Sequence, residues 1–202
     1  MSDNRRTYSA IKDAIRQLCP TEPTGNAARH LHTLAALISG IVCSKKTNLP
    51  AIAGKVPDNT KRESRVKKYY RWLTNARIGA ELYFLPFVDA LLKSLAHLPL
   101  VLAIDGSEAG RGCLVLMVSL IYHKRALPLA WIVVRGCKGH FPEEAHVELV
   151  KQVHTLIPEN SLMIFLNDNE FDGTELQATI DDFGWQYVSR TTKNTQLYAE
   201  GE

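Results

Sequence analysis

Residues 99–134 read PLVLAIDGSEAGRGCLVLMVSLIYHKRALPLAWIVV, and the fold turns on them. Three runs rich in Val, Ile and Leu, from Leu100 to Asp105, Gly112 to His123 and Leu127 to Val134, have strand-like lengths and short connections, which predicts three successive strands. Downstream, Pro142 to Ile157 reads as a helix with proline near its start and acids in its first turn. Ser161 to Asn167 is a further buried strand. Asp172-Gly-Thr-Glu175 opens a helix to about Phe183, with Asp172 at capping-box-like spacing from Glu175, and Trp185 to Arg190 supplies a fifth strand. The predicted order is β-β-β-α-β-α-β.

Upstream of Pro99 the periodicity is helical. Tyr8 to Leu18 and Asn26 to Cys43 carry apolar residues at helical spacing, with Asn26 as a plausible N-cap. Leu49 to Lys55 is a short segment, and Pro57 with Asp58-Asn59 separates it from a helix over about Lys61 to Thr74. Ala80 to His97 reads as a last helix, bent or divided at Pro86. The predicted fold class is therefore mixed α+β or α/β: an all-helical region over residues 1–98, followed by a strand-rich core over residues 99–202.

Composition sets outer bounds. The chain has 202 residues, 46% apolar and 22% charged, enough to bury a sizeable core, which excludes a largely disordered protein. The apolar runs from Leu98 to Ile104 and Cys113 to Tyr122 fall short of the roughly 18 to 20 residues that span a bilayer, and Met1-Ser-Asp-Asn-Arg-Arg opens no signal core. A cytoplasmic protein without membrane partners is expected. Cys19, Cys43, Cys113 and Cys137 form no Cys-x-x-Cys pair and suit buried, reduced thiols. His140 and His146 match no zinc spacing and read as surface or loop residues.

The net charge of +3 conceals a division: residues 1–98 hold 16 Lys and Arg against 7 Asp and Glu, and residues 99–202 hold 8 against 14. A basic half suits a polyanionic partner. Lys61, Arg62, Arg65, Lys67, Lys68 and Arg71, interleaved with Tyr69, Tyr70 and Trp72, form the candidate DNA-contacting helix; a solvated basic face over buried aromatics explains the same pattern.

A meander of three strands followed by strands parallel to the first is the element order of a ribonuclease-H-like core, a fold-level analogy. In such a core Asp105, ending the first strand, and Asp168, ending the fourth, become neighbours. Two adjacent carboxylates repel unless a cation or a proton intervenes, and oxygen donors favour Mg²⁺ or Mn²⁺. A pair of such ions roughly 3.5 to 4 Å apart suits in-line attack on a phosphodiester. Taken singly, Asp105 before Gly106-Ser107 also reads as a turn residue and Asp168 as a loop cap.

The stretches Leu102-Ala-Ile-Asp105-Gly-Ser, Arg111-Gly-Cys, Arg125-Ala-Leu-Pro-Leu-Ala-Trp131, Lys138-Gly-His-Phe, Phe165-Leu-Asn-Asp168-Asn-Glu-Phe-Asp-Gly173 and Thr191-Thr-Lys-Asn194 resemble DDE transposases of the insertion-sequence-four group. The resemblance covers nearly the whole chain, and the block from Asp168 to Gly173 is its most specific part. It implies DNA transposition by metal-dependent hydrolysis and strand transfer, with Asp105 and Asp168 as the first two catalytic metal ligands. It also implies a two-metal site for Mg²⁺ or Mn²⁺ in the complete enzyme, and a helical region over residues 1–98 that binds the terminal repeats of double-stranded DNA. Glu170 is a secondary candidate, as a spare ligand or a solvated loop carboxylate. Arg190 and Lys193 are secondary candidates for phosphate contact.

One departure matters. The family's third carboxylate, a Glu on a helix well beyond the fifth strand, has no counterpart here, because Glu200 and Glu202 follow too soon after Arg190. The resemblance thus implies a core truncated after the fifth strand, short of full activity and with apolar surface exposed. The alternative is a non-catalytic fragment that binds DNA or inhibits transposition by pairing with a full-length transposase or its own copies. A ribonuclease-H-like nuclease unconnected with mobile DNA explains the aspartates but not the longer match.

Overall fold

The computed structural model of the chain describes residues 3–19, 22–136 and 141–190. The chain divides into two compact units, Met1–Ala90 and Leu91–Glu202, with the boundary inside a helix rather than behind it. Among the described residues the fold is mixed, with eight α-helices, one 3-10 turn and a five-stranded sheet. No helix among them is long and apolar enough to cross a membrane.

Unit 1 holds α1 (Asp3–Gln17), α2 (Gly25–Ser44), α3 (Leu49–Ala53), α4 (Arg62–Leu73), α5 (Ala80–Tyr83) and the start of α6 (Leu85–Leu95). Helix α1 begins five residues before the expected Tyr8. Asn26 is not the N-cap of α2: Thr24 holds that extended position and Asn26 lies within the first turn. At α3 the cap is Asn48, whose Oδ1 accepts from the Ala51 amide at 3.0 Å, and Pro50 occupies the first turn, where no amide hydrogen is required. The stretch expected as one helix to His97 is divided, with Phe84 between α5 and α6 and Pro86 at the start of α6. Ala36, Leu37, Ile52, Ala53, Val56 and Tyr69 form one core of this unit, and Ile15, Leu31 and Ala35 another. Gly40 permits α2 to approach α3, since a Cβ there would stand 2.8 Å from the Ile52 carbonyl oxygen.

Unit 2 is built on β1 (Leu100–Gly110), β2 (Cys113–Tyr122), β3 (Arg125–Arg135), β4 (Met163–Asn167) and β5 (Gln186–Ser189), in the order β3-β2-β1-β4-β5. β1–β2 and β2–β3 are antiparallel, and β1–β4 and β4–β5 are parallel. Between β3 and β4 runs α7 (Glu143–His154), and between β4 and β5 run a 3-10 turn (Asn169–Phe171) and α8 (Thr174–Asp182). His123 and Lys124, with φ of 48° and 62°, make the two-residue hairpin between β2 and β3. Pro128 is tolerated because β3 is an edge strand and pairs with Ser119 at an irregularity in the ladder.

The two faces of the sheet differ. Helix α7 packs on β2 and β3, and α8 on β5 and α7. Leu100, Leu102 and Ile104 of β1, Leu114, Leu116, Val118 and Leu120 of β2, and Met163 and Phe165 of β4 share one face by register and are buried. Burying each such side chain is worth roughly 1.5–3 kcal/mol. The alternate residues form an open face, where Asp105 pairs with Met117 and Met117 with Trp131, Val115 pairs with Val133, and Leu166 with Val188. Trp131, Val133 and Val188 are exposed.

Candidate functional site

Strand β1 pairs with β4 in parallel, Leu102 with Phe165 and Ala103 with Leu166. Asp105 does not end β1 as expected but lies midway along it, since β1 runs on with β2 to Gly110; the β1–β4 register stops at Ala103 and Leu166, and continued by two residues it would bring Asp105 level with Asp168, the residue just past β4. The crevice beyond the carboxyl ends of parallel strands is where such sheets bind ligands. Asp105 alternates with the buried Leu102 and Ile104, so its side chain is exposed, and Ser107 Oγ donates to its Oδ2 at 3.2 Å. Asp168 is the N-cap of the 3-10 turn: its Oδ1 accepts from the Glu170 amide at 3.0 Å.

The remaining predicted residues are distributed unevenly. Glu170 approaches β1 one residue past Asp105, its Oε1 3.7 Å from where a Cβ on Gly106 would stand. Arg190 is exposed just beyond β5, at the same end of the sheet, and its amide donates to the Asn167 carbonyl at 3.0 Å. Lys193, Lys138 and His140 lie outside the described residues. Among the described residues no Lys, Arg or His is within ion-pair reach of Asp105 or Asp168, and no group of three His, Cys, Asp or Glu side chains is gathered as a metal site.

Two residues that hold the Asp168 segment escaped the reading of the sequence. Asn167 is buried: its Nδ2 donates to the Phe171 carbonyl and its Oδ1 accepts from Ser189 Oγ at 2.6 Å, tying β4, the 3-10 turn and β5 together. An amide ending the apolar run Met163-Ile-Phe-Leu was the available signal. Glu143 of α7 reaches 32 residues along the chain, where its Oε1 accepts from the amides of Glu175 at 2.8 Å and Leu176 at 3.0 Å. It caps α8, so Asp172 does not; the cap position is Gly173, beside which the Glu143 carboxylate lies. His146 is also corrected: it is 5% exposed on α7, its ring edge-on to Phe171 at 4.8 Å, neither surface nor loop. Cys19, Cys43 and Cys113 are free but half-buried rather than fully enclosed.

In unit 1 the six predicted DNA-contacting cations separate by orientation. Arg65 turns inward: its guanidinium donates to the Val56 carbonyl and stands 3.3 Å from Asp58, with 12% of the side chain exposed. Arg62 Nε donates to the Pro50 carbonyl at 3.0 Å, fastening α4 to α3. Lys61, Lys67, Lys68 and Arg71 are exposed. Lys68 and Arg71, with Trp72 and Asn75, line one wall of a groove whose other wall is α2, with Arg29 and His32. Burial lowers the His32 pKa, and Lys12 and Lys68 lower it further. Arg29 and His32 were missed because on α2 alone they read as ordinary polar positions. No protein-family model matches the chain, and no curated protein matches its sequence significantly.

Proposed function

We propose that this chain acts on DNA as a DDE-type transposase built on a ribonuclease-H-like core. The observation that carries this reading is the parallel pairing of β1 with β4 from Leu100 and Met163 to Ala103 and Leu166, two residues short of Asp105 and Asp168 on their respective segments, which supports the two carboxylates sharing one region of the open sheet face. The sheet order, with a three-strand meander flanked by two parallel strands, supports it. So does the cationic surface of unit 1, since phosphate neutralisation by Lys and Arg supplies most sequence-independent DNA affinity.

The aspartate pair suits an oxygen-liganded divalent cation: each carboxylate has one oxygen held by a neighbouring donor, and no cationic side chain among the described residues neutralises either. Bound there, Mg²⁺ or Mn²⁺ would supply Lewis acidity toward a scissile phosphodiester and its attacking water or 3′-hydroxyl. The protein's own part is positioning. Ser107 orients Asp105, the Glu170 amide orients Asp168, and Asn167 fixes the segment that carries it. Arg190 stands at the same sheet end, suited to a phosphate oxygen. The third donor of a complete centre comes from outside the described residues or from another chain, because no trio is gathered among them.

That missing trio favours one second reading, a non-catalytic DNA-binding protein that pairs with a complete transposase. A cleavage assay with Mn²⁺ on duplex DNA carrying the repeats that flank the gene decides between them. We expect divalent-cation-dependent nicking that both Asp105→Ala and Asp168→Ala abolish. DNA binding without nicking would leave the second reading, and nicking that survives both substitutions would remove the aspartates from the site.

A further inference from the structure

The groove between α2 and α4 is chemically one-sided. Lys68, Arg71 and Trp72 recur at helical spacing on α4, with Asn75 just past its end, and face Arg29 and His32 of α2, and among the described residues no acidic side chain lines the groove. Neither Arg29 nor Lys68 has an acidic partner within ion-pair reach among the described residues, whereas Arg65 and Arg62 on the other flank of α4 are spent on internal carbonyls. Among the described residues Arg71 engages only its Nε, which donates to the Lys67 carbonyl at 3.3 Å. Trp72 is half-buried, edge-on to Tyr83 at 5.8 Å, and gives the groove an aromatic wall. Gathered like charges that no protein group compensates are stable when an anion lies between them.

We propose that this groove seats a nucleic-acid phosphodiester backbone, held by Arg29, Lys68 and Arg71 with His32 as a fourth, proton-dependent donor. The inference rests on the reading of the chain as a DNA-acting protein and specifies where the DNA lies. His32 faces Lys12 from α1 and Lys68 from α4, shares the groove with Arg29, His30 and Arg71, and borders the Arg16–Glu22 pair in the adjoining hollow. In that field the imidazole is neutral near neutral pH. A phosphate between the helices reverses the field and favours the imidazolium, so binding takes up a proton and tightens as pH falls.

Fluorescence anisotropy with a labelled duplex of about 20 base pairs tests both statements on the whole chain, at fixed salt. Arg29→Ala with Lys68→Ala and Arg71→Ala is compared with an equal charge loss outside the groove, Lys55→Ala with Lys61→Ala and Lys67→Ala. We expect the groove variant to lose about tenfold or more affinity relative to the surface variant, a difference of one decade in Kd. Lys68→Gln alone serves as the second variant should the triple change unfold the protein. Equal losses, or a larger loss in the surface variant, overturn the groove while leaving DNA binding intact; an unaltered chain that binds no duplex overturns both.

From about pH 7.5 to about 5.5 the unaltered chain should bind more tightly, by about tenfold for each pH unit by which phosphate raises His32. His32→Gln should flatten that rise and His123→Gln, at the hairpin tip of unit 2, should not. An undiminished rise in His32→Gln overturns the proton-dependent donor.

Discussion

His146 lies within the helix-covered layer of unit 2 with its Nε2 buried and without a hydrogen-bond partner among the described residues, packed on Phe171, three residues beyond Asp168. Burial lowers its pKa and outweighs the nearby Glu143 and Glu144, which act in the other direction. The fold therefore holds a neutral imidazole, while the unfolded chain takes a proton near pH 6.5. A histidine with a depressed folded pKa contributes stability above the unfolded value and forfeits it as pH falls below about 6.5 toward the folded one. His146→Leu should consequently flatten the loss of stability between about pH 6.5 and 5, measured as the shift in urea midpoint; an unchanged slope would mean that the imidazole is not the group responsible. Nothing in the sequence marked this residue as buried, because a histidine in a segment with Glu143, Glu144 and Glu148 reads as polar until the face of α7 that it shares is known to be covered. Asp105 and Asp168 were legible for the opposite reason, since each terminates an apolar run and the pairing of the runs follows from their order.

Helix α2 and helix α3 meet where the smallest side chain is required. A methyl group on Gly40 would fall 2.5 Å from Ile52 Cγ2 and 2.8 Å from the Ile52 carbonyl oxygen, and backbone cannot swing away as a side-chain terminus can. Helix propensity favours Gly40→Ala by up to about 1 kcal/mol, but overpacking against backbone costs about 1–3 kcal/mol, so net destabilisation is expected in chemical denaturation. A stabilised Gly40→Ala variant would show that the two helices separate easily. Element boundaries were readable only where chain chemistry enforces them, as Pro86 does at the start of α6. Strand β1 continues to Gly110, five residues past its apolar run, because pairing with β2 persists through Glu108 on backbone hydrogen bonds that side-chain polarity does not reveal. The cap of α8 was illegible for a related reason: the acceptor of its first amides, Glu143, belongs to another helix.

At the scale of the molecule, the sheet of unit 2 is asymmetric, and stability should divide accordingly. Leu116→Ala removes a side chain with no solvent exposure from the helix-covered face and should cost about 2–5 kcal/mol. Val133 is 54% exposed on the open face, and Val133→Ala should cost under about 1 kcal/mol in the same urea titration. Comparable losses would indicate that the open face is covered in solution. The alternation that separates the faces was visible in the strands' composition, but which face is covered depends on where α7 and α8 land, and only the assembled fold decides that.

The strand order also has a temporal side. β1 occupies the middle of the sheet, yet its two neighbours arrive at different times: β2 follows directly, whereas β4 is made roughly 60 residues after β1 begins. At a synthesis rate of roughly 5–20 residues per second, one flank of the meander stays unpaired for several seconds on the ribosome. During that interval the newborn chain presents an apolar strand edge that any extended segment can join, so its yield in the cell depends on what shields that edge until β4 arrives.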